Sequence, residues 1–144
     1  MSILEAAFYV KDQAMSADWE GPILTTRGLS NLSFTGSWTD AASPVGPLQL
    51  WVTNDPRAAQ DQLRGLTMAT GAAVWKQLDL PAGSVDVDGT TATWTAGDDH
   101  IQITGVGAGK FAMNVVDLYA YAKLYFDNTS GGTGDTMSIA REGN

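Results

Sequence analysis

The chain predicts an all-β fold, an antiparallel β-sandwich of jelly-roll-like character with about eight strands. Three observations predict it. Short runs alternate apolar and polar residues, the period of a strand with one face in a core. Turn residues punctuate those runs roughly every 8 to 12 positions, the spacing of a sandwich. The composition is rich in turn formers and poor in charge, with 16 Gly and only 17% charged residues, which suits many short strands better than long helices. At 144 residues the chain reads as a single β-sandwich domain over 1–144, long enough to bury a sizeable core.

The central strand is the clearest. Leu48, Leu50 and Val52 alternate with Gln49, Trp51 and Thr53. Asn54-Asp55-Pro56 then stops the run, because Asn and Asp favour local turns and Pro56 lacks the N–H that a ladder needs. Before it, Ala6–Val10 makes a plausible first strand closed at Lys11-Asp12. Gly21-Pro22 marks a turn, and Ile23 to Thr26 pairs briefly. In Leu29 to Trp38, Leu32, Phe34 and Gly36 share one face, and Ser33, Thr35 and Ser37 the other. Residues 1–28 carry the weakest alternation, which suggests an N-terminal arm or interface segment.

After the central strand, Ala58 to Arg64 is rich in helix formers and follows Pro56, with Gly65 or Gly71 to end it. This predicts one short helical insertion near 57–70, a turn or lid. Val74 to Leu80 returns to strand character. Ser84 to Trp94 reads as a hairpin about Asp88-Gly89, a pair that tolerates positive φ. Asp99 to Val106 and Phe111 to Val116 follow as strands, the latter closed by Asp117. Tyr119 to Asp127 sets Ala120, Ala122, Leu124 and Phe126 against Tyr119, Tyr121, Lys123 and Tyr125. A Gly-rich turn over 128–134 leads into a last strand from Thr136 to Arg141.

Composition also narrows function. The 16 acidic residues outweigh the 8 basic ones, for a formal charge of −8. The basic residues are scattered singly, which argues against a nucleic-acid surface built on clustered Lys and Arg. There is no Cys, so disulfides, thiol catalysis and Cys-ligated zinc are excluded. No basic stretch followed by an apolar run opens the sequence, and no window nears the roughly 20 apolar residues of a membrane helix. The expectation is a protein assembled in a reducing cytoplasm, without membrane contact.

Candidate motifs resolve into ordinary structure. Thr104 to Phe111 resembles a phosphate loop, but Thr104 stands where that pattern needs Gly, and Phe111 where it needs Ser or Thr. Asp86-Val87-Asp88-Gly89 is a fragment of a calcium loop without the later acidic ligands; a hairpin turn explains it better. Asp98-Asp99-His100 sets carboxylates beside the sole His, yet adjacent strand residues point to opposite faces. No catalytic, cofactor or metal constellation is expected, and the protein is read as no enzyme. Asn128-Thr129-Ser130 matches a glycosylation acceptor by chance in a chain without a signal. Tyr119, Tyr121 and Tyr125 form an aromatic stripe, either a half-buried sheet surface or a contact face for a subunit or sugar.

Several stretches together resemble small structural proteins of tailed bacteriophages. They are Leu32 to Trp38, Pro44 to Asp55, Val74 to Leu80, Phe111 to Asp117, and Ala120 to Tyr125 leading into Thr129-Ser130-Gly131-Gly132. The resemblance spans roughly residues 29–140 and rests on strand patterns. It departs at 57–73, where such modules have a compact turn, so the insertion is a candidate contact. What the resemblance implies is a β-sandwich or jelly-roll module on the virion: a capsid decoration, or cement, protein on the outside of the head shell, assembled in the host cytoplasm. Its partners would be the major capsid protein or other virion proteins. It would act as a homo-oligomer, a trimer being one arrangement, with modest contacts multiplied by the lattice. Phe8, Tyr9, Met15 and Trp19 are the expected docking residues of the N-terminal segment, with Tyr119 and Tyr121 beside them. The alternative is a carbohydrate- or receptor-binding module of a head or tail fibre, based on the aromatic set and acidic loops.

Overall fold

The structure, a computed structural model, describes residues 4–39, 45–88, 91–104, 107–116, 118–129 and 135–144. Two antiparallel sheets pack face to face. The longer strands are β1 (Leu4–Ala14), β4 (Leu32–Trp38), β5 (Val45–Thr53), β9 (His100–Thr104), β10 (Gly109–Val115), β11 (Tyr121–Phe126) and β12 (Thr136–Gly143). Short ones are β2 (Trp19–Glu20), β3 (Leu24–Thr25), β6 (Lys76–Gln77), β7 (Val85–Val87) and β8 (Ala92–Thr93); α1 spans Ala58–Arg64. The first sheet has the order β1-β12-β4-β10-β7. The second runs β2-β11-β5-β9-β8, with β3 also on β11 and β6 also on β5. This is the all-β sandwich that the alternation predicts.

The long strands pass from sheet to sheet: β4 lies in the first, β5 in the second, β10 in the first, β11 in the second and β12 in the first. Pairing is therefore mostly between strands far apart in sequence, as in β1 with β12. The predicted hairpin at Ser84–Trp94 is corrected by this crossing. Val85–Val87 pairs with β10 and Ala92–Thr93 with β9, in opposite sheets; Gly89, in its expected turn, lies outside the described residues. So do Gly105 and Val106 of the Gly-rich loop, Asp117, and residues 130–134 of the last wide turn.

The core fills the space between the sheets. Leu32, Phe34, Trp38, Phe111, Met113, Met137 and Ile139 enter from the first sheet, and Leu48, Leu50, Val52, Ile101, Ile103, Leu124 and Phe126 from the second. Gly36 permits one close approach: a Cβ there would lie 2.3 Å from the Phe111 ring, so any side chain would displace that ring.

The N-terminal segment is corrected as well. Residues 4–14 form β1, paired along β12 rather than standing off as an arm. Its weak alternation has a cause. The register with β12 shifts between Leu4 and Ala7, between Phe8 and Val10, and between Val10 and Gln13, and Asp12 takes a φ of 50°. Each bulge breaks the period-two signal.

Candidate functional site

The insertion after β5 is the feature that most changes the surface. Asp55 closes its neck: one carboxylate accepts the Arg57 N–H (3.0 Å) at its start and the Val74 N–H (3.0 Å) at its end. The same carboxylate holds the Arg57 guanidinium at 2.7 Å. Those bonds keep the Asp55 carboxyl well below the usual carboxylate range, the Arg57 side chain contributing most. Inside the loop, α1 ends at Gly65 with φ 63°, the left-handed cap that Gly adopts without strain. Asp61 on α1 accepts the Ala72 (3.0 Å) and Ala73 (2.9 Å) N–H groups. These two bonds, Ala73 first, lower its carboxyl too.

This loop lies over the outer face of the second sheet. Ala58 and Ala73 join Ile23, Ala120 and Tyr121 in a small second core, with Ala59 and Trp75 packed on it. Gln62 donates to the Ile23 carbonyl at 2.7 Å, and the Met68 N–H donates to Glu20 Oε1 at 2.8 Å. The loop is thus fastened to β2, β3 and the turn between them.

Beneath it sits Lys123, whose side chain is 0% exposed. Its Nζ donates to Glu20 Oε1 and lies 4.1 Å from the centroid of the Trp75 ring. Burial pushes the Lys123 ammonium below its ordinary value, with Glu20 opposing that shift and Asp61 adding a smaller favourable charge. The Trp75 indole N–H has no partner, so the ring is held by packing and by the cation beneath its face. Sequence reasoning set Lys123 on the same strand face as the tyrosines. Alternation put it on the correct side of β11, but nothing in the pattern reveals a loop above that side.

Beyond the insertion the same face is open. Tyr125 pairs across β5 with Gln49, and Gln49 pairs across β9 with His100. Trp51 is half-buried here and donates its indole N–H to Gln49 Oε1 at 2.8 Å. Tyr125 donates to Asp18 at 3.0 Å; desolvation and that bond push its phenol up to about 12. Gln102 is half-buried on β9. An aromatic pair among amide, imidazole and carboxylate groups has the chemistry to meet a sugar ring and its hydroxyls.

The expected interface residues separate. Tyr9, Met15, Trp19 and Tyr121 are buried, so they build the domain instead of offering it to a partner. Tyr9 donates to the Pro22 carbonyl at 2.6 Å and accepts the Leu124 N–H at 3.1 Å. Its burial raises the phenol far above its ordinary value. Tyr119 is half-buried, with Lys76 Nζ 6.0 Å from its ring centroid. Phe8 is 58% exposed. It pairs with Ala140, which pairs with Thr35, which pairs with Ala112. Phe8 therefore stands at the margin of the first sheet's outer face, where small residues (Ser33, Thr35, Ser37, Ala112 and Ser138) lie among Asp86, Lys110, Asn114 and Glu142.

Two clefts open on the surface, the first of them on this same face. One of about 590 Å³ runs over Thr35, Ser37, Asp86, Asp88 and Lys110, and one of about 440 Å³ is lined by Leu78, Leu80, Pro81, Asn114 and Val116. His100 Nδ1 meets Asp99 Oδ1 at 2.7 Å, a local pair at the strand entry. Among the described residues no group of three or more His, Asp or Glu is placed to hold a metal ion, and no helix is long and apolar enough to cross a membrane. Compared with known protein families, curated proteins and solved structures, the chain matches none.

Proposed function

We propose that this is a non-enzymatic structural protein of a bacteriophage virion, a capsid decoration protein that stabilises the head shell. The observation that carries the reading is the outer face of the first sheet, where Ser33, Thr35, Ser37, Ala112 and Ser138 lie among Asp86, Lys110, Asn114 and Glu142 and are bordered by exposed Phe8. Small side chains let a rigid slab lie close against a neighbouring surface, and an aromatic at the edge supplies an anchor. The strand order supports a jelly-roll reading: β1-β12-β4-β10 faces β2/β3-β11-β5-β9, and double-sheet jelly rolls recur in viral capsid and lectin domains. The strand patterns over 29–140 that resemble phage structural modules point the same way. Fold alone does not assign function, so location on the particle is the test. Imaging particles made with and without this protein should show its density outside the head shell. Density at the tail, or particles of unchanged appearance, overturns the reading.

A second reading, a carbohydrate-binding module of a fibre, is favoured by Trp51, Tyr125, Gln49, Gln102 and His100 on the open part of the second sheet. Saturable binding of the isolated chain to a glycan array, abolished in Trp51→Ala, would select it over the first.

A further inference from the structure

Lys123 and Glu20 meet under unusual conditions. They lie on neighbouring strands, since Tyr125 pairs with Glu20 and Lys123 is two residues along the same face. The lysine side chain is wholly out of water and the glutamate side chain 14% exposed. Trp75 covers the amine. The carboxyl oxygen that Lys123 touches also accepts the Met68 N–H. A second carboxylate, Asp61, lines the same cavity of about 170 Å³ as Glu20 and acts on the Lys123 charge. Amine, carboxyl and an oxyanion donor are thus held together beneath the loop.

We propose that this pair matures into a covalent cross-link, an isopeptide bond between Lys123 Nζ and Glu20 Cδ. The balance needs no outside reagent: an ammonium and a carboxylate give an amide and one water. The Lys123 ammonium passes one proton to the Glu20 carboxyl that it touches, and the free amine attacks Cδ. The Met68 N–H holds the charge that develops on Oε1. The C–Oε2 bond then breaks, and that oxygen leaves as water, carrying the two protons that the nitrogen has given up. Fixed juxtaposition supplies the high effective concentration the reaction needs, and the low dielectric disfavours the separated charges that would otherwise persist. The bond would fasten β2 to β11 and, through Met68, hold the insertion. It stands independently of any role on a virion.

Mass spectrometry of the whole purified chain tests this. The expected intact mass is one water below that of the sequence. Trypsin should fail to cut after Lys123 and should yield residues 12–27 joined to residues 111–141. The Lys123→Arg variant, which keeps the charge but has no Nζ amine, should show the full mass. A full-mass native chain with a free 111–123 peptide overturns the proposal. So does a water loss that leaves Lys123 cleavable, as a succinimide at Asp88-Gly89 would. A bridge to the 58–64 peptide would assign the bond to Asp61 and overturn the Glu20 assignment.

Discussion

On the outside of the first sheet, Thr35 and Ser37 are exposed, and the residues that alternate with them along β4, Phe34, Gly36 and Trp38, are buried. In the second sheet, β11 is buried on both faces: Tyr121 and Lys123 on the outside and Ala122 and Leu124 toward the core, without a break. Both strands belong to the same sandwich and both alternate in sequence. The difference is the 57–74 loop, which adds a second layer over one sheet and none over the other. Alternation reports which side of a sheet a residue takes; whether that side meets water depends on what the rest of the chain lays over it.

The contrast is broken most severely at Lys123. Replacing it with Met leaves Glu20 without its cation under the loop. The expected loss is about 3 kcal/mol, at the low end for a buried pair broken from one side, because Glu20 keeps an edge in water. Thr35→Lys, its counterpart on the open sheet, should change stability by no more than about 0.5 kcal/mol. Denaturant unfolding of the two variants measures both. Equal losses would mean that the faces do not differ.

Next is Tyr9→Phe, which removes a hydroxyl bonded to both Pro22 and Leu124. The Leu124 N–H is left without its acceptor, at a cost of about 1–3 kcal/mol. Thermal unfolding reports it, and an unchanged midpoint would show that water replaces the hydroxyl.

Acid should separate the covering loop from the sheets beneath it. Asp55 and Asp61 both have carboxyls lowered in the folded chain. Their contribution is therefore fully present above the ordinary value of 3.8 and is lost as pH falls from there through the lowered folded values. Hydrogen exchange below that point should release the Ala72, Ala73 and Val74 amides while β4 and β10 stay protected. Simultaneous release would show that the loop has no independent opening.

The smallest structural effect is expected at Phe8→Ala, within about 0.5 kcal/mol of the parent because the ring is exposed. On the proposed shell-binding role it should nevertheless lower occupancy on particles, and undiminished occupancy would remove Phe8 from the contact.

Much of this architecture is legible in residue order. β4, β5, β10 and β12 announce themselves by alternation, and α1 by Ala58 to Leu63 between Pro56 and Gly65. β1 is less legible because its bulges and the positive φ at Asp12 disturb the period. That is why Tyr9, Met15 and Trp19 read as a free segment yet pack in the core. The pairing of Lys123 with Glu20 spans 103 positions and depends on β2 reaching β11, which no local pattern encodes. The one available signal was a lysine in the middle of an apolar strand, opposite an insertion already singled out as a departure.

The layered face is tested most directly by labelling the native protein with an amine-reactive reagent and reading each lysine by peptide mass. Lys11, Lys76 and Lys110 are exposed and should label readily, while Lys123 stays unmodified until the chain unfolds, or beyond unfolding if it is cross-linked. Native labelling of Lys123 at the rate of the other three would contradict the account.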